Sequence, residues 1–342
     1  VISPSPDWRA PPCPHDADCG GCDLSALTPH ARRAALASMV QRALGLDAPP
    51  EVIHAPEQGR ARIKLTIDGE RLGYRGARSH SLVPVDRCGV ARPELSDALP
   101  ALRRVLAERP GLADAVELRT DGERVVYAFL GGRWEAADRA ATAALGRVAH
   151  DGRAVHGDVH LWLPVQGLRL RAGPRAFFQV DLALNGALVG FVRDAVAAAR
   201  PERALDLYAG IGNLGLPIAA TGVPVLAVEQ EASALSDLAA SAEAAGLGGV
   251  RTLAIDAARF DPSREVFDVA VLDPPRAGAG EVLSRALRNR PRRVVVVSCD
   301  VRSAARDLRI AKDQRYRLVE VRCFDLFPDT HHVETVTVFE RA

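Results

Sequence analysis

The sequence predicts an α/β protein: a largely parallel, doubly wound sheet over residues 171–342, preceded by a smaller α+β part. Three observations carry this. From about residue 171, strand-like and helix-like stretches alternate. Glycines and acids recur where those strands end. Before residue 171, hairpin signals dominate and crossover helices are few. At roughly 100–200 residues per domain, 342 residues make two domains and a small third element. The expected boundaries are 1–50 (a cysteine-rich segment and a helix), 51–170 (central α+β domain) and 171–342 (the doubly wound domain).

Residues 1–12 (VISPSPDWRAPP) read as an extended linker, and 13–22 hold three cysteines. Thr28 is the expected N-cap of a helix over about 30–45, with Gly45 as its stop. Pro49-Pro50 then breaks the chain. ARIKLTID alternates as a strand, GERLGYRG turns and returns, and SLVPVDRC follows. Residues 94–108 read as a helix. Asp121-Gly122 marks a hairpin, EAADRAATAALGRVA a short helix, and DVHLWLPVQGLRLRAG another hairpin. A helix over 182–199 leads into the repeating part. ALDLYAG, VPVLAVEQ, VRTLAIDA, VFDVAVLDPP and RRVVVVSCD are its strands, with helices between most of them. A short helix and two final strands, YRLVEVRCFDLF and HVETVTVFE, close the chain. Those two follow each other without a long helix, which predicts an antiparallel edge.

Net charge is +1 and 48% of residues are hydrophobic, so a sizeable core is expected and strong overall basicity is excluded. No apolar run reaches the ~20 residues of a membrane span, and no signal peptide opens the chain, which starts with Val1. A cytoplasmic protein is expected. One stretch is locally basic: Arg60, Arg62, Lys64, Arg71, Arg75 and Arg78 against Asp68 and Glu70. It reads either as a solvated sheet face or as a phosphate-contacting surface. Cys13, Cys19 and Cys22 are spaced C-x5-C-x2-C, with Cys88 remote. Such a group in a cytoplasmic protein points to metal rather than disulfides, and its spacing leaves zinc and a [4Fe-4S] cluster both open.

DLYAGIGNLG (206–215) ends one strand and opens one helix. Gly210 and Gly212 allow a tight turn and close approach to a ligand. An acid at the start of a dinucleotide loop would face pyrophosphate, so Asp206 favours a phosphate-free cofactor such as S-adenosylmethionine. Glu229 ends the next strand, where a carboxylate can accept from both ribose hydroxyls. Asp256 ends the third and could take the adenine amino group. Each acid has a plain alternative as a helix cap; together with the glycines they indicate a nucleoside-containing cofactor.

LDPPRAG (272–278) follows a fourth strand. Its prolines fix a rigid loop that reads as a structural turn or as the carrier of Asp273 at the ligand edge. Cys299 stands directly after an apolar strand. It is either an inert buried thiol or an activated nucleophile ahead of a helix. Cys323 reads as structural. His331, His332 and Glu334 offer weak metal spacing, and Glu334 a base at the start of the last strand.

Together FFQVD (177–181), DLYAGIGNLGL, VE (228–229), LDPPRAG, VSCD and FPDTHHVET resemble the S-adenosylmethionine-dependent RNA 5-methyluridine methyltransferases, which act on 23S rRNA and tRNA. CPHDADCGGCDLS resembles the cysteine segment of that family's iron–sulfur branch, and VPVDRC the site of a fourth ligand. The resemblance spans about 11–342. It implies a Rossmann-like seven-stranded methyltransferase sheet with an N-terminal α+β domain carrying an iron–sulfur segment. It implies Cys299 as nucleophile at uridine C6 and Glu334 as the base that removes the C5 proton. Phe177, Gln179, Asp273 and Arg276 belong to its substrate pocket. Its cofactor site takes in Gln179, Asp206, Tyr208, Gly210, Gly212, Asn213, Glu229, Asp256 and Asp273. Cys13, Cys19, Cys22 and Cys88 match ligands of a [4Fe-4S] cluster holding the N-terminal segment to the central domain. The family pattern differs at Asp181, Ser241 and Ala245, where Asn is usual. The family often carries a small N-terminal β-barrel, and residues 1–12 resemble the linker that follows it, so the barrel is expected to be either trimmed from this chain or lacking in this member. The expected partner is RNA, first 23S rRNA, then position 54 of tRNA, with a monomeric enzyme and no membrane. A non-catalytic RNA-binding factor is the reading from another class.

Overall fold

The computed structural model describes residues 5–54, 58–77 and 79–342; Arg78 of the basic run and the start of the linker lie outside them. Helix α1 (Pro29–Leu44) starts where expected. The Thr28 hydroxyl accepts from the Ala31 N–H, Pro29 opens the first turn, and left-handed Gly45 ends the helix. Strand β1 (Glu51–Ile53) follows.

The central unit comprises β2 (Arg62–Asp68), β3 (Arg71–Arg75), β4 (Leu82–Pro84), α2 (Pro93–Asp97), α3 (Leu99–Glu108), β5 (Ala115–Thr120), β6 (Val125–Leu130), α4 (Ala136–Thr142), β7 (Val148–His150) and β8 (Arg153–His156). Its seven strands run in the order β4-β3-β2-β5-β6-β7-β8. Ile63, Leu65 and Ile67 of β2 face the same core as Leu95, Leu99 and Leu102 of α2 and α3. Their alternates Arg62, Lys64, Thr66 and Asp68 occupy the opposite face, as period-two geometry requires. The single helix expected over 94–108 is two. Pro100 in the first turn of α3 has no N–H to continue the earlier ladder. The helix expected to reach Ala149 stops at Thr142, and Val148 begins a strand. Asp151 and Gly152, both at positive φ (45° and 78°), make the tight turn from β7 to β8, a second Asp-Gly hairpin that the helical reading overran.

Strands β9 (Leu161–Val165) and β10 (Leu168–Ala172) form a separate hairpin. The rest is α5 (Leu182–Ala198), β11 (Ala204–Leu207), α6 (Gly215–Ala219), β12 (Val225–Glu229), α7 (Ala232–Ala244), β13 (Val250–Ala254), β14 (Val269–Leu272), α8 (Gly280–Arg288), β15 (Arg293–Ser298), α9 (Val301–Asp313), β16 (Tyr316–Phe324) and β17 (Glu334–Arg341). The sheet order is β1-β16-β17-β15-β14-β11-β12-β13. Strands β15-β14-β11-β12-β13 are mutually parallel, and β17 runs antiparallel to both neighbours, as expected. The expected seven strands become eight because β1 adds in parallel beside β16. Leu36, Val40 and Leu44 of α1 share a core with Val294 and Val296 of β15, so the N-terminal helix covers one face of this sheet. Among the described residues no helix is long and apolar enough to cross a membrane.

The iron–sulfur expectation is corrected. Cys13, Cys19, Cys22 and Cys88 line one cavity of about 110 Å3, together with Tyr74, Val85 and Val90. Yet among the described residues no group of three or more His, Cys, Asp or Glu stands where it could hold a metal ion. The same finding removes the zinc alternative, the metal reading of His331, His332 and Glu334, and the iron–sulfur segment from the fold. In this cavity burial disfavours the ionised form of two of the cysteines. Burial pushes the Cys22 thiol up to about 12 and raises that of Cys19, while the Tyr74 hydroxyl and Cys88 share a hydrogen bond. The fold is therefore a mixed α/β sheet with an α+β unit before it and, among the described residues, no metal-holding group.

Candidate active site

The reactive side chains stand where strands of the large sheet end. Asp273 follows β14, Cys299 follows β15, and Glu334 opens β17. Strands β15 and β17 pair antiparallel with Ser298 opposite Thr335, so continuing that register sets Cys299 beside Glu334. On its other side β17 begins with Glu334 opposite Phe324. The helix after Cys299 is capped by Asp300, whose carboxylate accepts from the Ser303 N–H at 2.8 Å. The Ser303 hydroxyl donates to the Arg276 carbonyl at 2.8 Å, and Asp307 accepts from the N–H groups of Ala279 and Gly280 at 3.1 and 3.0 Å. The LDPPRAG loop is thus anchored on α9, the helix that starts at the cysteine.

These groups perturb one another. Glu334 is 2% exposed; burial first, then the neighbouring Asp273, holds its carboxyl well above the usual range, with Arg276 opposing. Burial raises Asp273 to about 7, against a hydrogen bond from Gln179. Burial pushes the Cys299 thiol up to about 11; Glu334 and Asp273 add to this, and Arg276 pulls it down. The resting site therefore holds a neutral thiol beside acids poised to keep or take a proton near neutrality. Gln179 is buried, and its Oε1 has no partner among the described residues.

Beside this edge lies a cavity of about 860 Å3 whose lining includes Gly210, Glu229, Ser233, Phe177 and Arg62. Gly210 and Gly212 adopt positive φ (53° and 90°), and a Cβ on Gly212 would lie 2.6 Å from Leu216. Glu229 accepts from the Gly210 N–H at 3.0 Å and from those of Gln230 and Glu231 at 2.8 and 2.9 Å. Left-handed Tyr208 (φ 62°) turns the chain out of β11. The Glu229 carboxylate at a strand end, next to glycines, fits the ribose of a nucleoside cofactor; Arg62 and Arg175 line the same cavity. Other residues expected at the cofactor site also have contacts within the chain. Asp206 is 1% exposed and lies beneath the loop, against Gly215. Asn213 and Asn185 exchange amide hydrogen bonds at 2.8 and 2.9 Å, pinning the loop to α5. Asp256 accepts from the Ala258 N–H at 2.8 Å and closes a turn.

Phe177 is 59% exposed, and the Arg62 guanidinium lies 4.7 Å from its ring centroid. Sequence reading placed Arg62 only in a basic run. Its role under the aromatic ring comes from β2 meeting the segment 173–181, which local pattern does not encode. Asp181 caps α5, accepting from the Leu184 N–H at 2.9 Å, a job that Asn performs equally well.

A family profile described as tRNA (Uracil-5-)-methyltransferase matches residues 156–342. The chain belongs to the RNA uracil-5-methyltransferase family. Relatives named 23S rRNA (uracil(1939)-C(5))-methyltransferase RlmD agree over nearly the whole chain. The protein of Cronobacter sakazakii is 34% identical over 99% of this chain and 84% of its own length. That of Pectobacterium atrosepticum is 32% identical over 99% and 82%. The tRNA (uracil-54, C5)-methyltransferase of Pyrococcus abyssi, solved with S-adenosyl-L-homocysteine, has the same fold: TM-score 0.80, 23% identity, covering 94% of this chain and 86% of that one. As a uracil-5 methyltransferase, the protein moves a methyl group from S-adenosylmethionine to uracil in RNA. The reading as a non-catalytic RNA-binding factor is set aside.

Proposed function

We propose that this enzyme methylates C5 of a uridine in 23S rRNA, the uridine corresponding to the one in its relatives' names, through a covalent adduct with Cys299. The observation that carries the proposal is the antiparallel register that sets Glu334 beside Cys299, with Asp273 and Gln179 adjoining. Uracil C5 is a weak nucleophile. Bonding of the Cys299 sulfur to C6 moves electron density to C5, with the thiol proton passing to a neighbouring carboxylate. Asp273, near 7, is suited to hold that proton. Bound S-adenosylmethionine supplies the methyl group that C5 receives. Glu334 in its ionised form then takes the C5 proton, for which its raised proton affinity makes it a strong base, the electron pair re-forms the C5–C6 double bond, and the Cys299 thiolate leaves. Gln179 offers an amide edge to the uracil, and Arg276 supplies positive charge that favours the thiolate. Glu229 and the glycine loop hold the nucleoside part of the cofactor.

The target uridine must leave its stack to reach a buried site, and exposed Phe177 over Arg62 offers a face for a displaced or neighbouring base. The central unit, 51–170, binds RNA on the sheet face that carries Arg62, Lys64, Arg71 and Arg75. The unit 171–342 carries the chemistry. An enzyme of ribosomal RNA works in the cytoplasm, and one chain holds every group named, so a monomer suffices. The test is mass mapping of 5-methyluridine in 23S rRNA and tRNA from cells lacking the gene. Loss of one 23S position, restored by wild type and not by Cys299→Ala, is expected. Loss from tRNA alone would transfer the proposal to tRNA.

A further inference from the structure

Arg32 is a fully buried arginine far in sequence from the reactive groups, and the chemistry above does not use it. It lies on α1 and reaches the loop 325–333 that joins β16 to Glu334. Its Nε donates to Asp325 Oδ2 at 3.1 Å, and its Nη1 to Asp329 Oδ1. His54 Nδ1 meets the same Asp325 oxygen at 3.0 Å. The guanidinium therefore ties both ends of the turn DLFPD. The turn is also strained, because Asp329 holds φ at 60° without being glycine. Its carbonyl accepts from the Asp23 and Leu24 N–H groups at 2.9 Å each, so the segment after the cysteines grips the same residue.

We propose that Arg32 is a positioning residue for methyl transfer: by bridging Asp325 and Asp329 it holds the loop that sets Glu334 beside Cys299. The inference rests on the reading of Glu334 as the base. Without Arg32 the two buried carboxylates lose the one cation that bridges them; Arg9 still reaches Asp329 at 3.0 Å and His54 still meets Asp325, but neither ties the two ends together, so the loop loosens. Helix α1 itself is capped and packed without this contact, which makes the loop, rather than the helix, the element that Arg32 controls.

The test uses the full chain, a 23S rRNA transcript containing the target uridine, and S-adenosylmethionine. Arg32→Gln is expected to lower turnover on the order of 10²-fold, the scale of a small misplacement of a catalytic group. KM for S-adenosylmethionine should stay unchanged. Denaturant-stable protein–RNA adduct should accumulate, because proton removal and release of Cys299 are the steps that need Glu334. Arg32→Lys, which keeps the charge but not the fork, should regain part of the rate. Asp329→Asn tolerates positive φ while removing the anchor, and carries the same expectation if Arg32→Gln does not fold. Wild-type turnover in the variant that folds overturns the proposal. So does a rise in KM for the cofactor matching the fall in rate. Glu334→Gln is the control. If it builds no adduct, the base assignment fails, and the split between turnover and KM alone then decides Arg32.

Discussion

At the edge of the eight-stranded sheet Glu334 is buried and Asp273 half-buried, whereas Lys64 and Arg75, on the seven-stranded sheet, are cations exposed to water. The two sheets place charge in opposite ways. In the first, burial and mutual repulsion raise proton affinities, which makes the groups useful for moving protons at neutral pH and costly to folding. In the second, Lys64, Arg71 and Arg75 are exposed and solvated, so each adds little by itself and they act as a sum, while Arg119 of the same sheet is buried and donates to the Gly173 and Ala176 carbonyls. The difference teaches that the net charge of +1 carries no information about RNA binding, because charges at one edge are hidden while Lys64, Arg71 and Arg75 are displayed.

Four changes test this contrast. Cys299→Ala should lower methyl transfer most, on the order of 10⁴-fold or more, as loss of a nucleophile does. Calorimetry should find its cofactor binding intact; retained transfer would dismiss the covalent route. Glu229→Ala should raise KM for S-adenosylmethionine about 10- to 100-fold, the weight of charged hydrogen bonds. Its RNA affinity by filter binding should be unaltered.

Asp273→Asn should stabilise the fold, more so as pH rises. The wild-type carboxyl, raised from 3.8 to about 7, keeps its proton in the folded state while the unfolded chain releases it. Stability present below about 4 is therefore lost as pH rises towards 7, and asparagine has no proton to hold. The melting-temperature gain of the variant should widen between those pH values; a constant gain would mean that Asp273 is charged in the native site. The smallest effect belongs to the other sheet. Lys64→Ala should weaken RNA binding a few-fold, alike for all sequences, and reduce the salt slope by about 1. An unaltered slope would leave that face as a solvated surface.

The reactive groups were legible because they are local signals at strand ends. Asp273, Cys299 and Glu334 each follow or begin an apolar run, and Thr28 and Gly45 bound α1 by their own capping chemistry. The misreadings have physical causes. The four N-terminal cysteines share a cavity as their spacing suggests, without forming a metal-holding group. Strand β1 escaped notice because three residues carry no period, and it exists through pairing with β16.

By itself the sequence determined the alternation of strands and helices, the caps, the glycine loop and the candidates proposed as nucleophile and base, since each depends on neighbours a few residues away. Only the tertiary structure decided that Glu334 meets Cys299, that Phe177 lies over Arg62, and that a buried arginine on α1 holds two aspartates almost 300 residues later. Those contacts join segments remote in the chain. Their partners are chosen by strand register and by the need of buried charges for compensation, and neither is written in local pattern.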